Sequence, residues 1–321
     1  NTVTVNALDG ATFSYSSNSL PQTGTASLTT TPTTSGGVYS AYPSGLSINS
    51  STGEIDLANS TIQSYKIFYE TSGAGCPNSS TFDLAVTASG LSNTYSISFD
   101  GIDDYIDCGN ISALNGATQA TWSCWYKRTA SGAKYFIGTW GSGQKQFLPY
   151  QYDAGMFVYM GNSAGTQKEM FSNLSCGISQ HTWHHMAFVY NESESSNADK
   201  LKFYLDGTQI TNNGAGAALT SLNTVTASFN IGTPYSPYLT GNIDELAIWN
   251  TALTASQIQS IYDATSTNLT KDLSTIEPSN LKHWWRMGDG DTYPTITDNA
   301  GNNDGTMTNM SSSDIVSDTP T

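Results

Sequence analysis

The chain has 321 residues, 37% hydrophobic and only 12% charged, long enough for about two domains with real cores. With 26 Asp and Glu against 11 Lys and Arg, the formal charge is -15. That excludes the dense basic surface nucleic acid requires, disfavours an anionic membrane and favours divalent cations.

Ser, Thr, Asn and Gly stand where long helices would need Ala, Glu, Lys and Leu, so the composition predicts an all-β, turn-rich chain. No stretch approaches the ~20 apolar residues of a membrane span. The chain opens at Asn1 without Met or an apolar leader, which reads as a processed or trimmed mature chain. Cys76, Cys108, Cys124 and Cys176 lie too far apart for a zinc pattern, and three of them sit in apolar or alternating contexts that suit small buried hydrophobes; a Cys108–Cys124 disulfide is the alternative.

From Asn1 to Ser89, short alternating runs are separated by turn clusters: "TVTV" (Val3, Val5), "TFSYS" (Phe13, Tyr15), "GLSI", "GEIDL", "SYKIFYET" and "TFDLAVT". Tyr65, Ile67 and Tyr69 share one face, as do Phe82, Leu84 and Val86, the period of a half-buried strand, so a small β-sandwich is expected over 1–89. "ASGLSNT" at 88–94 reads as a linker.

The second domain, 90–321, has longer and more aromatic strands: "YSISF", "TWSCWYK", "KYFIGTW", "GMFVYM", "TWHHMAFVY" and "KLKFYL". In "KLKFYLDGTQI", Leu201, Phe203 and Leu205 face one way and Asp206-Gly207 supplies the positive-φ pair of a tight hairpin turn. One short helix is expected at "TASQIQSIYD", where Thr254 and Gln257 form a capping box and Ile258, Ile261 and Tyr262 one apolar stripe; it would plug an edge of the sandwich.

The segments "GLSINSSTGEIDLANS" and "SYKIFYETSGAGCPNSSTFDLAVTA" resemble immunoglobulin-like or cadherin-like repeats of bacterial surface proteins. "YSISFDGIDDYIDCG", "TWHHMAFVYN", "KLKFYLDGTQI" and "LTGNIDELAIWNTALTASQIQSIY", in that order, resemble a laminin-G-like domain of the concanavalin A-like lectin and glucanase superfamily. This likeness implies a jelly-roll sandwich, and leaves lectin, adhesion, hydrolase and spacer roles open. In many relatives a strand like "WWRMGDGDTYPTITDNAGNNDGT" comes first, whereas here it comes last. The strand at Leu281 to Met287 is therefore expected in the same sandwich as Tyr95 to Phe99, completing a circularly rearranged domain.

Carboxylates cluster at Asp100, Asp103, Asp104 and Asp107, at Asp244 and Glu245, and at Asp289, Asp291, Asp298 and Asp304. The resemblance implies a structural Ca²⁺ near such positions, and Asp244, Asp289, Asp291 and Asp100 are the expected ligands. The alternative is that these aspartates only make turns and cap loops; "NNDG" at 302–305 matches only part of a calcium loop.

Catalytic patterns are missing. "GEID" (Glu54 to Asp56) has no further carboxylate on its face, Asp244 and Glu245 are neighbours expected to point apart, and His184 and His185 diverge likewise, while His181 and His283 form no pattern. A glycoside hydrolase is thus the weakest reading.

Surface aromatics remain. Trp140, Tyr150, Tyr152, Tyr235 and Tyr238 are the expected carbohydrate-binding residues, each also explicable as packing. The expected function is non-enzymatic adhesion to glycans or surface polysaccharide at an extracellular, cell or virion surface. The alternative is a structural subunit of a phage virion (decoration or fibre) or bacterial appendage that binds its own kind, since residues 288–320 resemble segments of marine phage and bacterial structural proteins. Asn59, Asn110 and Asn173 lie in N-x-S/T sites that matter only in a glycosylating host.

Overall fold

A computed structural model describes residues 7–72, 76–87, 90–141, 143–153, 155–162, 166–211, 217–263 and 269–320. Val3, Val5, Ala88 and Ser89, and the side chain of Asn173, fall outside the described residues. The chain divides into two compact units, Asn1–Gly90 and Leu91–Thr321.

In the smaller unit, Val38–Tyr42, Gln63–Glu70, Ser79–Thr87 and Ser19–Pro21 form a four-stranded sheet whose last pair is parallel. A second sheet joins Thr25–Ala26, Ile55–Asp56 and Ser47–Ile48. The expected inward residues Tyr65, Ile67, Tyr69, Leu84 and Val86 are buried with Phe13, Tyr15 and Tyr39, whereas Phe82 is only partly buried against that core.

The larger unit is a jelly-roll-type sandwich. Its eight-stranded sheet runs Thr208–Ile210, Leu201–Leu205, Trp183–Asn191, Gln119–Arg128, Thr240–Trp249, Ser96–Asp100 and Ile315–Val316, with Leu281–Trp285 also paired to Thr240–Trp249. Five- and four-stranded sheets contribute to the opposing core surface: Ile106, Ile231 and Met307 come from one, Met156, Val158 and Met160 from the other. The run "KYFIGTW" is not one strand. It changes sheets at the buried Phe136, so that Ala133–Tyr135 and Ile137–Gly138 belong to different ones. The hairpin turn forms with Asp206 at φ 49° and Gly207 at φ 76°.

Helix Ala255–Asp263 has its capping box: Gln257 N donates to Thr254 Oγ1 at 3.3 Å and Thr254 N to Gln257 Oε1 at 2.8 Å. It covers a face of the large sheet rather than plugging an edge. Ile258 and Ile261 pack on Ala187, Val189, Tyr204 and Trp249, which project away from the main core. Both faces of Thr240–Trp249 are therefore covered, and all of its residues after Thr240 are buried. Cys108 and Cys124 are not bridged; both are buried thiols of the main core, and burial pushes Cys124 up to about 12.

The late strand pairs with the second half of Thr240–Trp249, Leu246 opposite Trp285 and Ala247 opposite Trp284. Ser96–Asp100 pairs with the first half, Ile243 opposite Ile97. The two tryptophans diverge as strand neighbours must. Trp285 enters the main core, stacked 5.9 Å from Phe229, and Trp284 enters the core beneath the helix.

Asp298 fastens the loop that follows. Its carboxylate accepts from His283 Nδ1 (2.7 Å) and from the backbone of Trp284 (3.0 Å), Gly301 (2.9 Å) and Asn303 (3.0 Å). A Cβ on Gly301 would lie 2.5 Å from Asp298 Oδ2 and from Lys282 O, so the turn closes only on glycine. Burial alone would raise Asp298, but the His283 bond and these backbone donors hold it below its ordinary 3.8. Its contribution to stability is thus present above pH 3.8 and lost as pH falls through the lower folded value. Asp298→Ala is expected to cost about 3 kcal/mol in urea unfolding, since several buried N–H groups lose their acceptor at once.

Candidate functional site

Two surfaces of the larger unit carry chemistry. One is built on a backbone irregularity. Ser123 pairs with Ala247 but Trp125 with Asp244, so the central strand carries one extra residue there, and Glu245 sits at φ 49°. This bulge cancels the alternation that would send Asp244 and Glu245 apart. Both side chains are buried; the Glu245 charge bears on Asp244, and the Asp289 charge bears on both.

Asp244 Oδ2 accepts from Asn93 Nδ2 at 2.9 Å, while Asp244 Oδ1 and Asn93 Oδ1 are buried without a hydrogen-bond partner. Glu245 accepts from Trp284 Nε1 (2.6 Å) and Arg286 Nε (3.3 Å). Asp289 accepts from Thr94 N at 3.0 Å, and Arg286 lies 4.0 Å from it. Burial, and then the Glu245 charge, raises Asp244 well above the usual carboxylate range. Burial also raises Glu245, against the lowering effects of Arg286 and Trp284. When ionised, Asp244, Glu245 and Asp289 set three negative charges against the single positive charge of Arg286. Hard oxygen donors, two of them buried without partners, thus lie beside an excess of negative charge, the chemistry a hard divalent cation requires, although the carboxylate oxygens that gather within 4.8 Å of one another among the described residues are those of Asp100, Asp103 and Asp104.

Of the four expected metal ligands, Asp244 and Asp289 belong to this network, whereas Asp291 and Asp100 lie in two others. Asp291 is a turn-maker, accepting from Gly288 N and Thr297 N, each at 2.8 Å. Asp100 lies opposite Thr240, four strand residues from Asp244, a separation of roughly 13 Å at strand rise. There it gathers with Asp103 and Asp104, with carboxylate oxygens within 4.8 Å of one another. Sequence reading missed Asn93 and Glu245, because alternation assigns Glu245 to the wrong side and Asn93 lies in a segment that reads as a linker.

The second surface is an aromatic ladder on the outer side of the four-stranded sheet of Ala133–Tyr135, Phe147–Tyr152, Gly155–Gly161 and Gln167–Ser175. Tyr150 stacks on Phe157 (4.7 Å, 11°) and Tyr159 (5.9 Å, 9°), and Tyr135 meets Tyr150 edge-on at 5.2 Å. Trp140 continues the row 6.4 Å from Tyr159, with Lys145 Nζ 5.2 Å over its ring. Burial, and then hydrogen bonding with Tyr150, pushes the Tyr159 phenol upward, so it remains a neutral hydroxyl. Polar tips and half-buried ring faces in one row can stack on the apolar face of a sugar and bond its hydroxyls.

Trp140 and Tyr150, both expected, belong to this ladder. Tyr152 is exposed at the end of the same strand. Tyr235 is exposed and Tyr238 half-buried in the loop whose Pro237 carbonyl accepts from Tyr135 N at 3.3 Å; neither ring joins the stack. Tyr135, Phe157 and Tyr159 were missed. Their signal is in "GMFVYM", where Met156, Val158 and Met160 alternate with two aromatics, but the pattern alone cannot say which face is the core.

Residues 99–259, half of the chain, match the laminin-G-type profile of the concanavalin A-like lectin/glucanases superfamily, so the chain belongs to that family. A Bacteroides ovatus protein described as a candidate carbohydrate binder shares the fold at 15% identity and TM-score 0.52, over 90% of this chain and 93% of that one. A heptameric SAP-like pentraxin of Limulus polyphemus matches at 16% identity and TM-score 0.42, over 67% and 94%. Domain 4 of the Geobacillus stearothermophilus arabinanase AbnA, solved with arabinotriose, matches at 19% identity and TM-score 0.37, over 62% and 81%. No curated protein matches the chain. Among the described residues, no helix is long and apolar enough to cross a membrane.

Proposed function

We propose that the Leu91–Thr321 unit is a non-enzymatic carbohydrate-binding module that docks an extended glycan, such as a surface polysaccharide, along the Tyr135–Tyr150–Phe157–Tyr159–Trp140 ladder. The carrying observation is the ladder itself, a row of stacked, partly exposed rings that needs no such alignment for packing. The family's lectin-like members and the Bacteroides ovatus relative support the same class of ligand. The work is adhesion at an extracellular, cell or virion surface, with the Asn1–Gly90 unit as an immunoglobulin-like spacer and the larger unit as a circularly rearranged laminin-G-like domain.

In this reading Asn93, Asp244, Glu245 and Asp289 hold a structural Ca²⁺. When bound, the ion supplies the positive charge that lets buried carboxylates stay ionised, pinning the Asn93 segment to the sheet.

A glycan array followed by calorimetry tests the ladder. Tyr150→Ala and Trp140→Ala are each expected to weaken the best ligand about 10-fold, with the melting temperature little changed. Silence across the array, or unchanged affinity in both variants, sinks the proposal. The exposed aromatic row also favours a second reading, a structural subunit of a virion or appendage in which copies dock on one another. Self-association on a sizing column, lost in Tyr150→Ala, is that reading's expected result.

A further inference from the structure

On the helix-covered side of the large sheet lies a cleft of about 400 Å³, lined by Trp125, Trp183, His184, Asp206, Tyr262 and Asp263 among others. It shares no residue with the ladder, and its Trp125 is the strand partner of Asp244 at the bulge. Trp125 and Tyr262 stack at 5.8 Å and 26°. Trp125 is buried and Tyr262 half-buried, so Tyr262 is the ring of this pair that is open to the cleft.

Two carboxylates face the aromatic rings, and the charges of both Asp206 and Asp263 bear on the Tyr262 phenol. Asp263 accepts from the neutral Gln259 Nε2 at 2.7 Å. Asp206 is bonded by His184 Nδ1 at 2.8 Å and His185 N at 2.9 Å. His184 Nε2 in turn meets Ser179 N at 3.2 Å and Ser179 Oγ at 2.9 Å. The His185 ring lies 5.3 Å from that of Trp125, tilted at 55°, and burial pushes its imidazole down to about 4.

Among the described residues, no Lys or Arg lines the cleft. The nearest cation that meets its aromatics is Lys127, which lies 5.3 Å over Trp183 and is already paired with Asp318. Aromatic rings beside two carboxylates, in a lining without Lys or Arg among the described residues, attract positive charge. A neutral sugar would have to desolvate both carboxylates for hydroxyl bonds alone, whereas an ammonium gains from the carboxylates and from the ring quadrupoles together.

We propose that the Trp125–Trp183–Tyr262 cleft binds a small organic cation, a quaternary or alkyl ammonium group, with Asp206 and Asp263 as its counter-charges. The ammonium is a free metabolite or a substituent on a surface polymer; the chemistry of recognition is the same for both.

The test is titration of the full chain with choline, followed by tryptophan fluorescence and calorimetry, beside its uncharged carbon isostere 3,3-dimethylbutanol and a panel of neutral monosaccharides. Choline is expected to bind, and the isostere about 10-fold more weakly or not at all. Asp263→Asn, at an exposed carboxylate, is expected to weaken choline several-fold, and Tyr262→Ala to abolish the signal. If Tyr262→Ala lowers the melting temperature, Tyr262→Phe retains the ring and is expected to retain binding. Tyr150→Ala leaves this site unchanged, which separates its failure from that of the glycan ladder. Comparing free choline with a choline-bearing polymer distinguishes the two sources. Equal binding of the isostere, Tyr262-dependent binding of a neutral sugar, or no response to choline in the folded wild type overturns the proposal.

Discussion

A protein ending at Lys271 is expected to lose the cooperative unfolding transition of the Leu91–Thr321 unit, and Trp285→Ala alone to cost that unit about 3–5 kcal/mol. The cut removes Leu281–Trp285 from the central strand and Ile315–Val316 from the other side of Ser96–Asp100, leaving two long stretches of backbone unpaired. It also empties the main core of Trp285, Met287, Ile296, Met307 and Met310. Trp285 is wholly buried between Phe229 and His283, and its Nε1 donates to Asn303 O at 2.8 Å. Replacing it therefore loses apolar burial, leaves a cavity and frees an acceptor in one change. Calorimetry of the shortened chain is the check: a melting transition of full enthalpy for the larger unit would falsify the claim that the late strand is integral to it.

Chelation is expected to reverse the pH dependence of stability near neutrality. Without a cation, Asp244 and Glu245 are buried and their folded pKa values are raised, Glu245 from 4.5 to about 7. A carboxyl whose folded value is raised stabilises the fold while protonated. That contribution is complete below pH 4.5 and is lost as pH rises through about 7, so the chelated protein melts lower at pH 8 than at pH 5. Calcium inverts this, because it binds the ionised carboxylates: at 100 times its dissociation constant it adds about 2.7 kcal/mol. For a unit of this size that is roughly 5–10 °C in melting temperature. Asp244→Asn is expected to remove most of the calcium response. A melting temperature indifferent to calcium and chelator at pH 8 would leave the bulge as a purely internal network and overturn the metal assignment.

What could be read from residues alone depended on whether the pattern was local. Alternation placed Tyr65, Ile67 and Tyr69 inside, Asp206-Gly207 marked its hairpin, and Thr254 with Gln257 marked the start of the helix, because each rests on side-chain direction or backbone freedom within a few residues. Adjacent tryptophans on a strand must diverge, yet nothing in "HWWRM" says that two separate cores wait for them. The helix stripe was legible as amphipathic, but its partner surface was not: Ala187, Val189, Tyr204 and Trp249 project from three strands distant in sequence.

The candidate sites show the same division. Composition and charge determined an all-β, acidic chain suited to cations and unsuited to nucleic acid, and four ordered motifs carried the resemblance to the family. The tertiary structure alone decided which acids meet. A single positive φ at Glu245 turns a residue that alternation sends away back toward Asp244, and Asn93 reaches the pair across a sequence separation of 151 residues. It also decided which face of "GMFVYM" is core and which is ladder, since alternating apolar residues on both sides leave that choice to the neighbouring sheet. Local rules set side-chain direction; long-range strand register, which no short window of sequence contains, sets what each side chain meets.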